Sequence, residues 1–227
     1  QLGGLLTQAN LVPKEHGRQL AIKNAFNAFH WPDSIVPYTF SSNAASSLLL
    51  TSMTAAAIHQ LESLTPLRFV ARTTEADYVE VTLVSLVCSS SLGRIGGPQS
   101  LNLDGDGRCP VATTVHELMH ATGAYHTQSR TDRDDYITVD EAAIKAANLH
   151  NYDKVDSLEA TDILDYDYGS VMHYADDAFA TGEDPTFTVD TTKFSAFEAA
   201  YGPTTIGQRV GMSPLDVDTY QQIYGGC

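Results

Sequence analysis

His116, Glu117, His120, Gly123 and His126 are packed into one short stretch, and their spacing carries the chemistry. On a helix, residues i and i+4 leave the same face, so His116 and His120 present their imidazoles together. Glu117 lies between them, where its carboxylate reaches the second sphere of any metal they hold. Gly123 ends the helix, since glycine most readily takes the left-handed turn that stops it. The turn brings His126 in from another direction as a third nitrogen ligand. Three neutral imidazoles and an open fourth position describe a catalytic zinc site, with one Zn2+ per chain, and not a closed structural one. Zinc held there would lower the pKa of its water to around 7, with Glu117 placed as general base. No cysteines stand at Cys-x-x-Cys spacing, which argues against a thiolate zinc site.

The elements around this stretch can be read from pattern. Val111 to Gly123 is the metal helix. Upstream, residues 35–40 predict a strand. Residues 44–64 predict a helix capped by Ser41, Ser42 or Asn43, with Leu50, Met53, Ala57, Leu61 and Leu64 at core spacing. Residues 67–71 and 78–87 predict strands, and 100–103 a short one. The Asp104-Gly105-Asp106-Gly107 run resembles part of a calcium loop, but it lacks the remaining ligands and reads as a tight turn. Beyond His126 the chain is loop-rich, with helices expected at 139–147 and 214–224. Residues 1–24 are weakly patterned and read as an arm, either structural or a residual propeptide. Residues 25–227 read as one catalytic domain, split into 25–126 and 127–227.

Composition narrows the function. The 227 residues, 43% of them hydrophobic, suit one domain with a real core. A net charge of −15 argues against a nucleic-acid partner and for a soluble, self-repelling surface outside a cell. Apolar runs such as Leu48 to Leu50 are too short to span a membrane. No leader is visible at Gln1, so the chain reads as a processed form. Of the three cysteines, Cys88 and Cys109 flank a Gly- and Ser-rich stretch. Bridging them would close a loop of about 22 residues, for about 3 kcal/mol in the chain-entropy account. Cys227 is left over, either free or paired between chains.

The zinc helix followed by Ser170-Val171-Met172-His173-Tyr174 resembles the metzincin arrangement of a zinc helix and a Met-turn. Further stretches are similar to the astacin family: Ile35-Val36-Pro37-Tyr38, Leu67-Arg68-Phe69-Val70, Asp77-Tyr78-Val79, Ser129 to Tyr136, Ile206-Gly207-Gln208-Arg209 and Asp216 to Tyr224. The resemblance covers roughly residues 30–227. It implies an α+β, metzincin-like zinc protease domain. Such a domain has an N-terminal twisted mixed sheet with two long helices, a loop-rich C-terminal subdomain and a cleft between them. It also implies a secreted, extracellular endopeptidase that takes peptide or protein substrates in extended form along an edge strand near Cys88 to Ser91; a monomer is expected. Met172 would floor the zinc site. Tyr174 would be both a zinc ligand at rest and a catalytic donor to the oxyanion, while His173 would be structural. Two positions depart from the family pattern: Thr127 stands where a Glu usually meets the buried N-terminus, and Pro66 stands where a Cys usually pairs with the C-terminal one. The rival readings are a zinc-binding but silent module, and a matrixin or serralysin. The presence of Glu117 weighs against the first; Tyr174 directly after the Met-His pair weighs against the second.

Overall fold

The computed structural model describes residues 21–23, 29–157 and 160–225. Most of the expected arm, and Cys227, lie outside the described residues. Where the arm is described, strand β1 (Ala21–Lys23) pairs antiparallel with a later strand, Ile22 opposite Thr161.

Strand β2 (Ile35–Phe40) follows Trp31. The single helix expected over 44–64 is two helices, α1 (Ser42–Ala45) and α2 (Leu48–Leu64). The break has a local cause. Ser47 takes an extended conformation and its side chain accepts the amide of Leu50, so it caps a new helix. Strands β3 (Arg68–Ala71) and β4 (Tyr78–Leu83) come next. The strand expected to reach Val87 stops at Leu83. Leu86 sits at φ 63° and gives its N–H to the buried Asp104 carboxylate, so its backbone is spent outside the ladder. Strands β5 (Ser89–Ser90) and β6 (Pro98–Leu103) lead to α3 (Val111–Ala121), the metal helix. Cys88 and Cys109 are joined in a disulfide.

The five strands form one mixed sheet in the order β3-β2-β4-β6-β5. β2, β3, β4 and β6 run parallel, and β5 lies antiparallel on the edge, Ser90 opposite Leu101. Alternation decides the faces: Val79, Val81, Leu101 and Leu103 point into the core, against Leu50, Ala57 and Leu61 of α2 and Val115, Leu118 and Met119 of α3. α2 and α3 are the two long helices of the expected mixed-sheet architecture.

The second half is built of short pieces: β7 (Ile137–Val139), β8 (Ala160–Asp162), β9 (Phe187–Val189), α4 (Thr191–Tyr201) and α5 (Pro214–Tyr224). The helix expected at 139–147 is instead two tight 3₁₀ turns, Glu141–Ala143 and Ala146–Tyr152. Ile144 between them is extended and bridges Ala180, which an α-helix would forbid. Helix α4 has no counterpart among the expected elements, although Asp190 caps it and Gly202, at φ 94°, ends it. A second core of Ile137, Tyr152, Tyr166, Tyr168, Tyr174, Phe187 and Phe197 lies here.

The last carbonyls of a helix lack partners within it. At the end of α3 these groups are satisfied from far along the chain. Trp31 Nε1 donates to Ala121 O at 2.9 Å, Tyr220 OH to Met119 O at 3.0 Å, and Tyr224 OH to Thr122 O at 2.8 Å. Tyr220 OH also meets the Thr122 hydroxyl at 2.8 Å. All are buried, so Tyr220→Phe should cost about 1–3 kcal/mol. Urea unfolding at unchanged slope measures this; a change within a few tenths of a kcal/mol (roughly the scale of a neutral surface substitution) would show these bonds to be dispensable.

Candidate metal centre

Helix α3 places His116 and His120 one turn apart, and the chain then turns at Gly123, whose φ of 109° is open to glycine and strained for other residues. The reversal carries His126 back over the helix. The amide of Gly123 returns to His120 O at 2.9 Å and closes the turn.

Proton placement decides what the three rings can do. His116 Nδ1 faces Val171 O at 2.8 Å, and His120 Nδ1 faces Ala124 O at 2.6 Å. A carbonyl only accepts, so each Nδ1 carries the ring's proton and each Nε2 is left with a bare lone pair. Those Nε2 atoms converge: His116 to His126 at 3.2 Å and His120 to His126 at 3.1 Å. Burial keeps the rings neutral: it pushes His120 down to about 4 and holds His116 and His126 well below the ordinary imidazole range. A cation set among the three Nε2 atoms would accept the lone pairs that His116 and His120 present there. Tetrahedral zinc with bonds of 2.0–2.1 Å sets its nitrogen ligands about 3.3 Å apart, close to the spacing observed. The donor set therefore fits a zinc ion.

Glu117 is buried, at 6% exposure, on the same helix. Burial raises its carboxyl to about 7, partly offset by the charge of Arg209. The Tyr174 ring packs at 4.5 Å from the His126 ring, and burial raises its phenol to about 12. His173 turns away from the three imidazoles. Its Nε2 meets Tyr166 OH and its Nδ1 meets Tyr174 O, both at 2.7 Å. Met172 is fully buried in the first core.

Several further groups at the site have no metal-ligand spacing, although Gly207 and Arg209 lie in one of the family-like stretches and Thr127 departs from the family pattern. Arg209 donates to His173 O at 3.0 Å, and its charge acts on all three imidazoles, Glu117 and Tyr174. Gly207 brings it there, because a Cβ at that position would collide with Ala175, next to Tyr174. Gln128 Oε1 accepts the Tyr174 amide at 3.2 Å. Thr127, in place of the usual Glu, is fully buried, and its hydroxyl has no hydrogen-bond partner among the described residues.

The turn that carries Val171 and Met172 is held by a buried carboxylate. Asp216 accepts from Ser170 Oγ at 2.7 Å and from the amides of Val171 and Ser213, both at 3.0 Å. It is also the third residue of the Ser213 capping box that starts α5. Asp167 lies beside it and accepts Ser213 Oγ at 2.5 Å. Burial and the neighbouring carboxyl push Asp167 up to about 7, and burial pushes Asp216 up as well.

The described fold is α+β and metzincin-like, and it surrounds a three-histidine centre. The peptidase family described as Astacin matches residues 23–225. The chain belongs to the astacin family. Among relatives, it is 37% identical over 207 residues to zinc metalloproteinase nas-15 of Caenorhabditis elegans, covering 90% of this chain and 34% of that protein. It is 33% identical over 227 residues to high choriolytic enzyme 2 of Oryzias latipes, covering 97% and 75%. Among solved structures, high choriolytic enzyme 1, a hatching enzyme zinc-protease from the same fish, superposes with a TM-score of 0.76 at 31% identity, covering 90% of this chain and 98% of that one. The chain spans only about a third to two fifths of the first relatives it matches, 34% of nas-15 and 40% of nas-13.

A carboxyl whose folded pKa is raised binds its proton more tightly in the native state. Stability is then full below the unfolded value, near 3.8 for Asp167, and falls as pH rises toward about 7. Asp167→Asn should flatten that fall relative to the parent. Melting temperatures measured from pH 4 to 7 check this; parallel curves for the two proteins would count against it.

Proposed function

We propose that the chain is a secreted zinc endopeptidase that cleaves extended peptide or protein substrates, with His116, His120 and His126 as the protein's metal ligands. The observation that carries this reading is the convergence of three neutral Nε2 atoms beside the buried carboxylate of Glu117. When bound, zinc supplies Lewis acidity to a water and to the scissile carbonyl oxygen. Glu117 takes the proton from that water as its oxygen attacks the carbonyl carbon, and delivers it to the departing amine nitrogen as the C–N bond breaks. Tyr174, which would add a fourth ligand to any metal at rest, would once released donate its phenolic hydrogen to the carbonyl oxygen as that oxygen gains charge. β5 offers a free edge to an extended peptide, beside the sheet that packs on the metal helix.

Secretion is supported by the Cys88–Cys109 disulfide, which a reducing cytosol would disfavour, and by the family to which the chain belongs. High choriolytic enzyme 1 is described as a hatching enzyme, and that description suggests extracellular protein substrates for this chain too. Recovery of the natural full-length product only from inside its cells, with none in the medium, would count against secretion. The catalytic unit is proposed as residues 25–227, divided at 126 and 127, and working as a monomer.

Glu117→Ala should retain one zinc per chain by elemental analysis and lose activity on casein by roughly 10²-fold or more. The parent's activity should vanish with a chelator. A parent that binds no transition metal after metal-free dialysis, or a variant with near-normal turnover, would overturn the assignment.

The arm is proposed to dock on the body, and the β1–β8 pairing supports this. Removing residues 1–23 should lower the melting temperature and leave or reduce activity. A clear rise in activity at unchanged stability would make the segment an inhibitory propeptide instead.

A further inference from the structure

Tyr174 is surrounded by rings. His126 lies at 4.5 Å, and Tyr152 and Phe179 each stand edge-on at 5.6 Å, with interplanar angles of 74° and 63°. Edge-to-face contacts are attractive and directional, because the positive ring edge meets the negative face. Tyr152 is a fixed wall: its hydroxyl donates to Ala178 O and meets Thr186 Oγ1, both at 2.8 Å. Ala178 is the residue before Phe179, so the two walls are tied to each other.

Phe179 is unusual in two independent ways. The residue is 37% exposed, so burial does not account for it. Its backbone is left-handed at φ 61°, a costly conformation for a bulky residue. The segment around it maintains that conformation. Lys145 N donates to Phe179 O at 2.9 Å, Thr181 N donates to Ala143 O at 2.8 Å, and Ile144 bridges Ala180. The strained backbone holds the ring in place against Tyr174.

We infer that Tyr152 and Phe179 form an aromatic seat for Tyr174, with Phe179 a positioning residue that sets where the Tyr174 hydroxyl meets the reacting carbonyl. The inference rests on the peptidase reading above. Among the described residues the ring contact of Phe179 is with Tyr174 and not with the imidazoles, so on this reading it acts through the Tyr174 ring. Losing it leaves the metal ligands intact and lets the phenol drift, and small misplacements at a reacting centre are expensive.

The test uses Phe179→Ala, Phe179→Leu, Phe179→Tyr and Phe179→Gly in the full chain, each also combined with Tyr174→Phe. Phe179→Ala should keep its zinc and melting temperature and lose roughly tenfold in kcat, with KM near the parent value. Phe179→Tyr should keep the parent rate. Phe179→Gly, which relieves the backbone but removes the ring, should behave like Phe179→Ala. In the Tyr174→Phe background the loss at position 179 should disappear. A readout without turnover comes from copper(II) in place of zinc, because phenolate-to-copper charge transfer absorbs visibly. That band should weaken in Phe179→Ala.

A rise in KM at unchanged kcat that persists without the Tyr174 hydroxyl would make Phe179 a substrate contact and overturn the seat. Loss of zinc or a large melting shift in both Phe179→Ala and Phe179→Leu would reduce it to a packing residue. Full kcat in Tyr174→Phe alone would sink the catalytic role of Tyr174. The copper band would then still decide the seat, and an unchanged band in Phe179→Ala would end it.

Discussion

Three ring nitrogens brought to one point are the constraint around which this structure is organised. Two backbone carbonyls, Val171 O and Ala124 O, fix the protons of His116 and His120 on the far side of each ring. Burial then keeps all three rings neutral. Neutral imidazoles already aligned are what a divalent cation requires, so affinity for the ion is linked to preorganisation of the site. The surroundings serve to keep the carbonyls where they are.

Those carbonyls come from different parts of the chain. Ala124 O belongs to the turn after the helix and moves with it. Val171 O belongs to a turn far downstream, held in register by the Asp216 carboxylate. A buried carboxylate is expensive unless its oxygens are saturated. Three donors from the Ser170 and Ser213 segments saturate Asp216. Helix start and metal-site wall are therefore a single hydrogen-bonded unit, and neither can shift without breaking the other. Arg209 adds a fixed positive charge between the unit and the reaction zone, favouring an ionised Glu117.

Much of this is legible in the sequence because the governing distances are short. The i,i+4 spacing, the glycine stop and the third histidine are local, and they read directly as one helix face and one return. The alternation at Tyr78–Val81 marks the strand and its buried face. What sequence reasoning misses is non-local or depends on a competing donor. The strand past Leu83 is lost to Asp104, whose carboxylate takes the Leu86 amide. The 44–64 helix is cut by Ser47, whose capping preference outweighs helical continuity. Helix α4 is hidden by its weak amphipathicity, with Phe197 its buried residue, although its cap and its terminal glycine are both in view. Arg209, Gln128 and Phe179 act through tertiary approach, and no spacing rule connects them with the imidazoles, or with a tyrosine they reach only in space. The Ser213–Asp216 capping box is readable as a helix start; that its carboxylate also holds the turn beneath the metal is not.

Helix α5 contributes Asp216 to the turn and Tyr220 and Tyr224 to the end of the metal helix. A chain growing on a ribosome exposes all three histidines about a hundred residues before it exposes these groups, a stretch that takes seconds at ordinary synthesis rates of about 5–20 residues per second. During that interval the ligands exist without the framework that aligns them. The order of synthesis thus separates possession of the three histidines from possession of an aligned centre, and a product cut short before α5 would carry the signature stretch while lacking the geometry that gives it meaning.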